Sequence, residues 1–144
     1  MDLFRALDIS ASALSAQRTR MEVITENLAN SDTSVTATGR PYQRKVVRLQ
    51  AVGAADTFPA AFDGAAVPRG GVRVAEVSEM RDPPRRAYQP GHPQAGADGF
   101  VELPNLNPLV EMTDMLSSTR AYEANVTAFQ ATKAMATKLL ELLR

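Results

Sequence analysis

The side chains that most often carry chemistry are scarce in this sequence. It contains one histidine, His92, and no cysteine, so the Cys and His clusters that bind structural zinc are absent. His92 stands between Gly91 and Pro93, in a run typical of a turn, and no nucleophile-elbow motif accompanies it. A histidine in such a position is more often a loop residue than the base of a Ser-His-Asp site. We therefore predict no catalytic residues and no metal site.

Phosphate and nucleic-acid binding are not indicated either. Gly70-Gly71 is too short for a phosphate-binding loop, and the 16 basic side chains balance 16 acidic ones. The charges are unevenly spread, because Thr36–Pro90 holds nine Arg or Lys against five Asp or Glu. This asymmetry could orient subunits against one another, although a solvated basic face explains it equally well. No cofactor and no nucleic-acid partner are predicted.

No disulfide or membrane anchor is indicated. Disulfides are excluded by the missing cysteine, and no stretch approaches the length of a transmembrane helix. The first residues include Asp2 and Asp8 and lack a continuous apolar run, so we expect no cleaved secretory signal. We also expect no direct membrane insertion.

The longest predicted element is an α-helix over Pro108–Arg144, since no glycine or proline follows Pro108. Asn107 suits the N-cap, and Glu111 favours the positive end of the helix dipole. Apolar side chains recur at alternating steps of three and four residues, with two polar interruptions. The predicted seam is Met112, Met115, Thr119, Tyr122, Val126, Phe129, Lys133, Ala136, Leu140 and Leu143.

The apolar band widens near the end of this helix. Met135, Leu139 and Leu142 lie beside the seam positions, and a helix apolar over so much of its circumference needs more than one neighbour. Two interpretations stay open: a core helix of a small bundle, or a helix that other molecules cover.

A second long helix is predicted over Asp2–Asn30. Its pattern gives four heptads with two polar interruptions, and Asn30 suits the C-terminal cap. The predicted seam is Leu3, Leu7, Ser10, Leu14, Gln17, Met21, Ile24 and Leu28.

Between the helices the composition predicts strands and turns. Tyr42–Ala51 and Val72–Met80 are rich in β-branched residues and are predicted to be strands. Gly53–Gly71, which holds Ala, Gly and Pro without a period, is predicted to be a loop. The prolines of Asp82–Pro84 should end the second strand, which Arg86–Gln89 could resume.

Phe100–Leu103 is predicted as a last short strand before Pro104. The predicted fold class is α+β, with two long terminal helices around a small β-rich insert. The predicted domain limits are 1–35 for the first helix, 36–106 for the insert and 107–144 for the second helix.

Three separated stretches resemble the bacterial flagellar rod and hook axial proteins. The first, Ser12–Asn30, contains Gln17-Arg18, Met21-Glu22-Val23-Ile24 and Asn27-Leu28-Ala29-Asn30. The others are PGHPQAGADGFVELPNLN (90–107) and SSTRAYEANVTAFQATKAM (117–135). Gly39-Arg40-Pro41-Tyr42 also resembles the turn that opens the family's insert, whereas Gly53–Gly71 and Ser31-Asp32 depart from the family pattern.

This resemblance implies a non-enzymatic structural subunit of the proximal rod of the flagellar basal body. It implies that the terminal helices pair as an antiparallel coiled coil lining the rod axis, with the insert facing outward. It also implies export through the flagellar type III apparatus without a cleaved signal peptide, and a location in the rod within the periplasmic space. The implied partners are copies of the chain and other rod proteins of the FlgB, FlgF, FlgG and FliE types.

The predicted assembly residues lie on both helices. They are Leu3, Leu7, Leu14, Gln17, Met21, Ile24, Asn27, Leu28, Asn30, Met112, Met115, Tyr122, Val126, Phe129, Met135, Leu139 and Leu142. The alternative function is a soluble helical-hairpin adaptor that binds a partner helix. A dispersed monomer with fully formed helices would favour the adaptor, and concentration-dependent polymers would favour the rod.

Overall fold

Two antiparallel helices dominate the structure, a computed structural model that describes residues 3–52 and 70–142. Helix α1 spans Leu3–Ala29 and helix α2 spans Pro108–Leu142. At 1.5 Å per residue they are about 40 and 52 Å long. The α+β prediction is confirmed, and most of the loop predicted for Gly53–Gly71 lies outside the described residues.

The inner ends of the two helices are capped by asparagines. Asn107 Oδ1 accepts a hydrogen bond from the Leu109 amide at 3.0 Å, which satisfies one of the donors at the start of α2. At the end of α1, Asn30 Nδ2 donates to the Glu26 carbonyl at 2.9 Å, and Asn30 Oδ1 accepts from the Thr33 hydroxyl. Local polar side chains thus set both helix boundaries, as the sequence predicts.

The first half of the insert is an antiparallel hairpin. Strand β1 (Lys45–Ala51) pairs with strand β2 (Val72–Glu79) so that Lys45 lies opposite Glu79. The register shifts between Arg48 and Leu49, which leaves Ala75 as the extra residue of a β-bulge. The bulge explains why the valines of β2 do not alternate cleanly in the sequence.

The second half of the insert is a separate hairpin. Strand β3 (Arg85–Tyr88) pairs with strand β4 (Phe100–Leu103). The strand expected at Arg86–Gln89 forms, but it does not resume β2, because the prolines of Asp82–Pro84 interrupt the chain and β3 finds its partner in β4. Gly99, with φ +72°, closes the hairpin where a Cβ would lie 2.8 Å from the Tyr88 ring.

The buried apolar side chains lie on α1 and in the insert, not on α2. They are Ala16, Val23, Ile24, Tyr42, Val101, Leu103 and Leu106, whereas the buried residues of α2 are Glu111, Ser118 and Thr132. Strands β1 and β2 lie against α1, and within the described residues no strand backbone comes close to α2. Helix α2 is therefore held mainly by α1, and most of its apolar surface stays accessible.

Candidate assembly interface

Contacts between the helices fix their alignment. Asn27 Nδ2 lies 3.1 Å from Glu111 Oε2. A second contact joins Met21 Sδ and Thr119 Oγ1 at 3.8 Å. Met21 is six residues before Asn27 on α1, and Thr119 is eight residues after Glu111 on α2. Extending this antiparallel alignment puts the start of α1 opposite Ala136. The last ~1.5 turns of α2 therefore project beyond the described part of α1.

The face that α2 turns toward α1 differs from the predicted seam at every second position. Half-buried Met115, Tyr122, Phe129 and Ala136 occupy it as predicted. The positions between them are taken by Glu111, Ser118, Asn125 and Thr132, each one residue before the predicted seam residue.

Met112 shows this correction most clearly. It is 57% exposed, whereas Glu111 beside it is 1% exposed, so the placement of Met112 in the seam was wrong. Lys133 likewise faces solvent, while Thr119 and Val126 are half-buried at the edge of the seam. The reason is a polar network described below, which requires a carboxylate at the inner position.

The eight predicted seam residues of α1 are buried or half-buried, and Ile24 is 5% exposed. Ala16, Val23 and Asn27, each one residue before a predicted seam position, are also buried, so the buried face of α1 is wider than the predicted seam. Gln17 is a weak point, because its Oε1 is buried and has no hydrogen-bond partner among the described residues. Serine and glutamine in this seam leave less apolar contact than a continuous leucine seam would give.

A buried polar network, which we call the joint, ties α1, α2 and the insert together. The joint consists of Asn27, Tyr42, Arg44, Lys45 and Glu111. Asn27 donates to the Lys45 carbonyl at 2.8 Å and to Glu111 Oε2, and its Oδ1 accepts from the Lys45 amide and the Tyr42 hydroxyl, both at 2.9 Å. Arg44 Nε donates to Glu111 Oε1 at 2.6 Å. Both carboxylate oxygens of Glu111 and both polar atoms of Asn27 are therefore satisfied.

Ion pairs continue outward from the joint. Asp114 lies 3.6 Å from Arg44 and 3.9 Å from Arg20, and Lys45 pairs with Glu26 at 2.5 Å. These outer groups are partly exposed, so each pair contributes little on its own. Their effect is to complete the charge balance around the buried Arg44–Glu111 pair.

The environment of the joint keeps Tyr42 in its protonated form. Burial, followed by the nearby carboxylates of Glu26, Glu79 and Glu111, raises the pKa of Tyr42 to about 12. The phenol donates a hydrogen bond to Asn27, and the raised pKa keeps it protonated at alkaline pH values where a free tyrosine begins to ionise.

The opposite end of the helix pair carries an exposed apolar surface, which we call the tip. It consists of Met135, Leu139, Leu140 and Leu142, which are 54%, 53%, 70% and 83% exposed. Leu139 continues the observed seam of α2, three residues after Ala136, at a level that the described part of α1 does not reach. Phe4 of α1, 77% exposed, adds an aromatic ring at the same end.

A second exposed stripe, which we call the shoulder, lies near the start of α2. Leu109, Met112 and Leu116 recur at steps of three and four residues on the side of α2 that faces away from α1. Each is more than half exposed. The tip and the shoulder are different surfaces about 40 Å apart along one helix.

His92 lies in the turn between β3 and β4, where its Nδ1 accepts from the Gln94 amide. Across residues 3–52 and 70–142 no cluster of three or more His, Asp or Glu side chains could hold a metal ion. In the same ranges neither helix is long and apolar enough to cross a membrane.

Sequence reasoning found part of this interface and missed the rest. Asn27 and Asn30 belong to the motif at the end of α1, and their contacts give the motif a physical meaning: Asn27 bonds to the insert, and Asn30 caps the helix. Tyr42, Arg44 and Glu111 were missed as joint residues. The first two lie in or beside the Gly39–Tyr42 turn, but nothing local shows that Glu111 is buried.

The fold and its surfaces define a class of protein: a pair of long terminal helices with a small insert and with exposed apolar surfaces on the second helix. Two family models match the terminal regions of the chain. Residues 7–34 match the family described as "Flagella basal body rod protein", and residues 97–142 match "Flagellar basal body rod FlgEFG protein C-terminal". Both terminal helices are thus similar to flagellar rod sequences.

Relatives resemble the chain over its whole length. The flagellar basal-body rod protein FlgC of Bacillus subtilis is 45% identical, with 99% of both chains covered. FlgC of Escherichia coli O6:H1 is 42% identical over 99% of this chain and 98% of its own, and FlgC of Borreliella burgdorferi is 36% identical over 100% and 99%. The chain belongs to the family of the flagellar basal-body rod protein FlgC.

Proposed function

We propose that this chain is a structural subunit of the proximal rod of the bacterial flagellar basal body, and that it assembles helically through its terminal helices. It acts by contact and shape, without catalysis. Family membership supports a role in the rod, and the exposed tip supports assembly through the helices.

The tip is the observation that carries the proposal. A stable free protein rarely leaves a contiguous apolar surface uncovered unless a partner binds there. The leucines of the tip extend the seam of α2 past the start of α1, so the surface that covers them must itself offer an apolar face. A neighbouring helix provides such a face, as α1 does along the rest of α2.

The shoulder supports an open assembly. Because the tip and the shoulder are unlike surfaces at opposite ends of α2, contact between them in neighbouring subunits would be heterologous. Heterologous contacts repeat without closing when the rotation between subunits does not form a ring. This geometry suits a helical rod.

The partners we propose are copies of this chain and rod proteins of the FlgB, FlgF, FlgG and FliE types. The proposed contacts are the predicted assembly residues on both helices, with Met112 now placed on the shoulder. We further propose a helical domain of residues 1–35 and 107–144, and an insert domain of residues 36–106 that faces outward.

The proposed route to the rod is export through the flagellar type III apparatus without a cleaved signal peptide, to a rod in the periplasmic space. Membership of the rod family supports this route. A chain whose helices complete their folding only among neighbours could travel in an extended form.

A soluble helical-hairpin adaptor is the second candidate, and the same tip supports it, because one partner helix could cover the tip. The two functions differ in stoichiometry. An adaptor would bind one partner and stay dispersed, whereas a rod subunit would polymerise as its concentration rises.

Charging the tip tests the proposal. Cells that lack this chain would be given either the wild-type gene or a Leu139→Asp, Leu142→Asp variant, and isolated basal bodies would be examined for rods. We expect the variant to be exported but to leave the export base without a rod, because two carboxylates cannot be buried against a neighbour.

Thr137→Asp is the matched control, since Thr137 is exposed on the other side of the same turn. It should support normal rods. Normal rods from the double variant would rule out the tip as an assembly surface, and an intact rod in cells lacking the chain would exclude the rod function altogether.

A further inference from the structure

We propose that Glu111 sets the register of α2 against α1, and that the joint thereby keeps the tip uncovered by the chain's own first helix. The register of a helix pair is the axial alignment of one helix along the other. Glu111 is 1% exposed and bonded to one residue of α1 and one of the insert, so its contacts exist in a single alignment.

The rest of the seam holds little register information. Ser118, Asn125 and Thr132 follow Glu111 at intervals of seven residues, and each bonds to a carbonyl of α2 four residues earlier, at 2.8 to 2.9 Å. The donor group of each is therefore satisfied whichever α1 residue lies opposite. Between them lie apolar residues that also repeat every seven positions, so a slide of α2 by one heptad presents an equivalent surface to α1.

A slide of one heptad, about 10 Å, would bring the tip beside α1 and carry the first turns of α2 past the end of α1. It would bring Ser118 to the level of Asn27, and Val126 to the level of Met21. Leu139 and Leu142 would then lie beside the first turns of α1 instead of beyond them. Burial of the tip would favour this slide.

The joint opposes the slide. In the slipped register Glu111 would leave Asn27 and Arg44, and two hydrogen bonds to an ionised carboxylate would be lost. Arg44 would also move away from Asp114, its other partner on α2. Buried polar groups of this kind are known to fix the register of helix pairs, even where they add little net stability.

The consequence for assembly rests on the proposed function. If neighbours bind the tip, a register that leaves the tip exposed is required, and the joint supplies it from the far end of the helix pair. The register is read from bonds within one chain, at concentrations where the helices are paired, so its test is distinct from the test of rod function.

Disulfide trapping measures the register, since the chain has no cysteine of its own. Met21→Cys with Thr119→Cys reports the observed register, in which the two native side chains are 3.8 Å apart. Met21→Cys with Val126→Cys reports the slipped register. Full-length chains would be oxidised at a concentration where the first pair crosslinks readily, and bonds within one chain would be identified by mass spectrometry.

We expect the reporter of the observed register to dominate in the otherwise unaltered chain. Glu111→Leu should raise the ratio of slipped to observed crosslinks by about tenfold or more. Arg44→Met together with Glu111→Leu should give the same result without leaving an arginine that has lost its carboxylate partner. This second variant therefore tests the role of the joint even if the first variant folds poorly. Asp114→Asn, which alters a more exposed member of the network, should leave the ratio within about twofold.

Two results would overturn the inference. Crosslinks of the observed register alone in both Glu111 variants would mean that another feature sets the alignment. Loss of both crosslinks in both variants would mean that the joint is needed for pairing itself and does not choose between registers. The crosslinks are compared at a concentration where the helices of the otherwise unaltered chain are paired, and rod assembly in cells is a separate readout.

Discussion

The joint and the tip lie at opposite ends of the same helix pair and differ in almost every physical respect. At the joint, side chains from α1, α2 and the insert are buried, and both polar atoms of Asn27 and both carboxylate oxygens of Glu111 are bonded. At the tip, four large apolar side chains of α2 are more than half exposed. Polar bonding gives the joint one allowed geometry, whereas apolar surface gives the tip affinity with little geometric demand.

This contrast indicates a division of labour along the helix pair. A non-directional apolar surface can bind neighbours of different sequence, but it cannot by itself choose an alignment. A satisfied polar network can choose an alignment while contributing little net stability. We expect substitutions at the joint to change how the chain is arranged, and substitutions at the tip to change what it binds.

The largest effect should come from a charge in the seam that connects the two ends. Leu14→Asp or Leu28→Asp should prevent assembly, because a carboxylate in the seam is costly unless it is paired. Rod abundance in isolated basal bodies is the measurement. Ser15→Asp, on the exposed side of α1 next to Leu14, should assemble normally, and normal rods from either leucine variant would count against the paired helices.

The next largest effect should come from breaking the joint on one side only. Glu111→Ala leaves Arg44 and Asn27 without their carboxylate and should lower the free energy of unfolding of the assembled protein by about 3–5 kcal/mol. Chemical denaturation of polymers would measure this free energy. Asp114→Ala, which removes more exposed ion pairs, should lower it by about 1 kcal/mol or less. Equal losses from both variants would mean that the buried contacts of Glu111 stabilise the protein no more than an exposed ion pair does.

A smaller effect is expected at Tyr42, and it depends on pH. Because the folded-state pKa is raised from 10.0 to about 12, the stabilisation is complete below pH 10 and is lost as the pH rises toward 12. Tyr42→Phe should cost about 1 kcal/mol at neutral pH through the lost bond to Asn27. It should also flatten the alkaline decline, and an unchanged alkaline decline in this variant would contradict the assignment.

The smallest effect should be at His92, which belongs to neither end. His92→Ala removes only a turn hydrogen bond to the Gln94 amide, so we expect motility within the range of the wild type. Complete loss of motility, with the protein stable and exported, would reveal a functional site at His92, outside both the joint and the tip.

Much of the fold follows from local sequence signals. The helix limits near Asn30 and Asn107, the strand at Phe100–Leu103 and the break at Asp82–Pro84 depend on caps, prolines and β-branched residues within a few positions. The tip also was predictable, because the excess leucines near the end of α2 exceed what one partner helix covers.

The features that the sequence did not predict depend on residues far apart in the chain. Glu111 is buried because Asn27 and Arg44, 84 and 67 residues away, meet it there, and no helical period contains that information. Apolarity alone favoured Met112 for the same position. The pairing of β3 with β4, and the bulge at Ala75, likewise follow from which strands meet in space.

The central claim is that the terminal helices complete their folding only when neighbours cover the tip. Amide hydrogen exchange, compared between dilute monomer and assembled polymer, tests this claim most directly. We predict rapid exchange over residues 3–28 and 109–142 in the monomer, protection confined to the strands between them, and strong protection of both helices in the polymer. Strong protection of both helices in the dilute monomer would contradict the account and would favour the soluble adaptor.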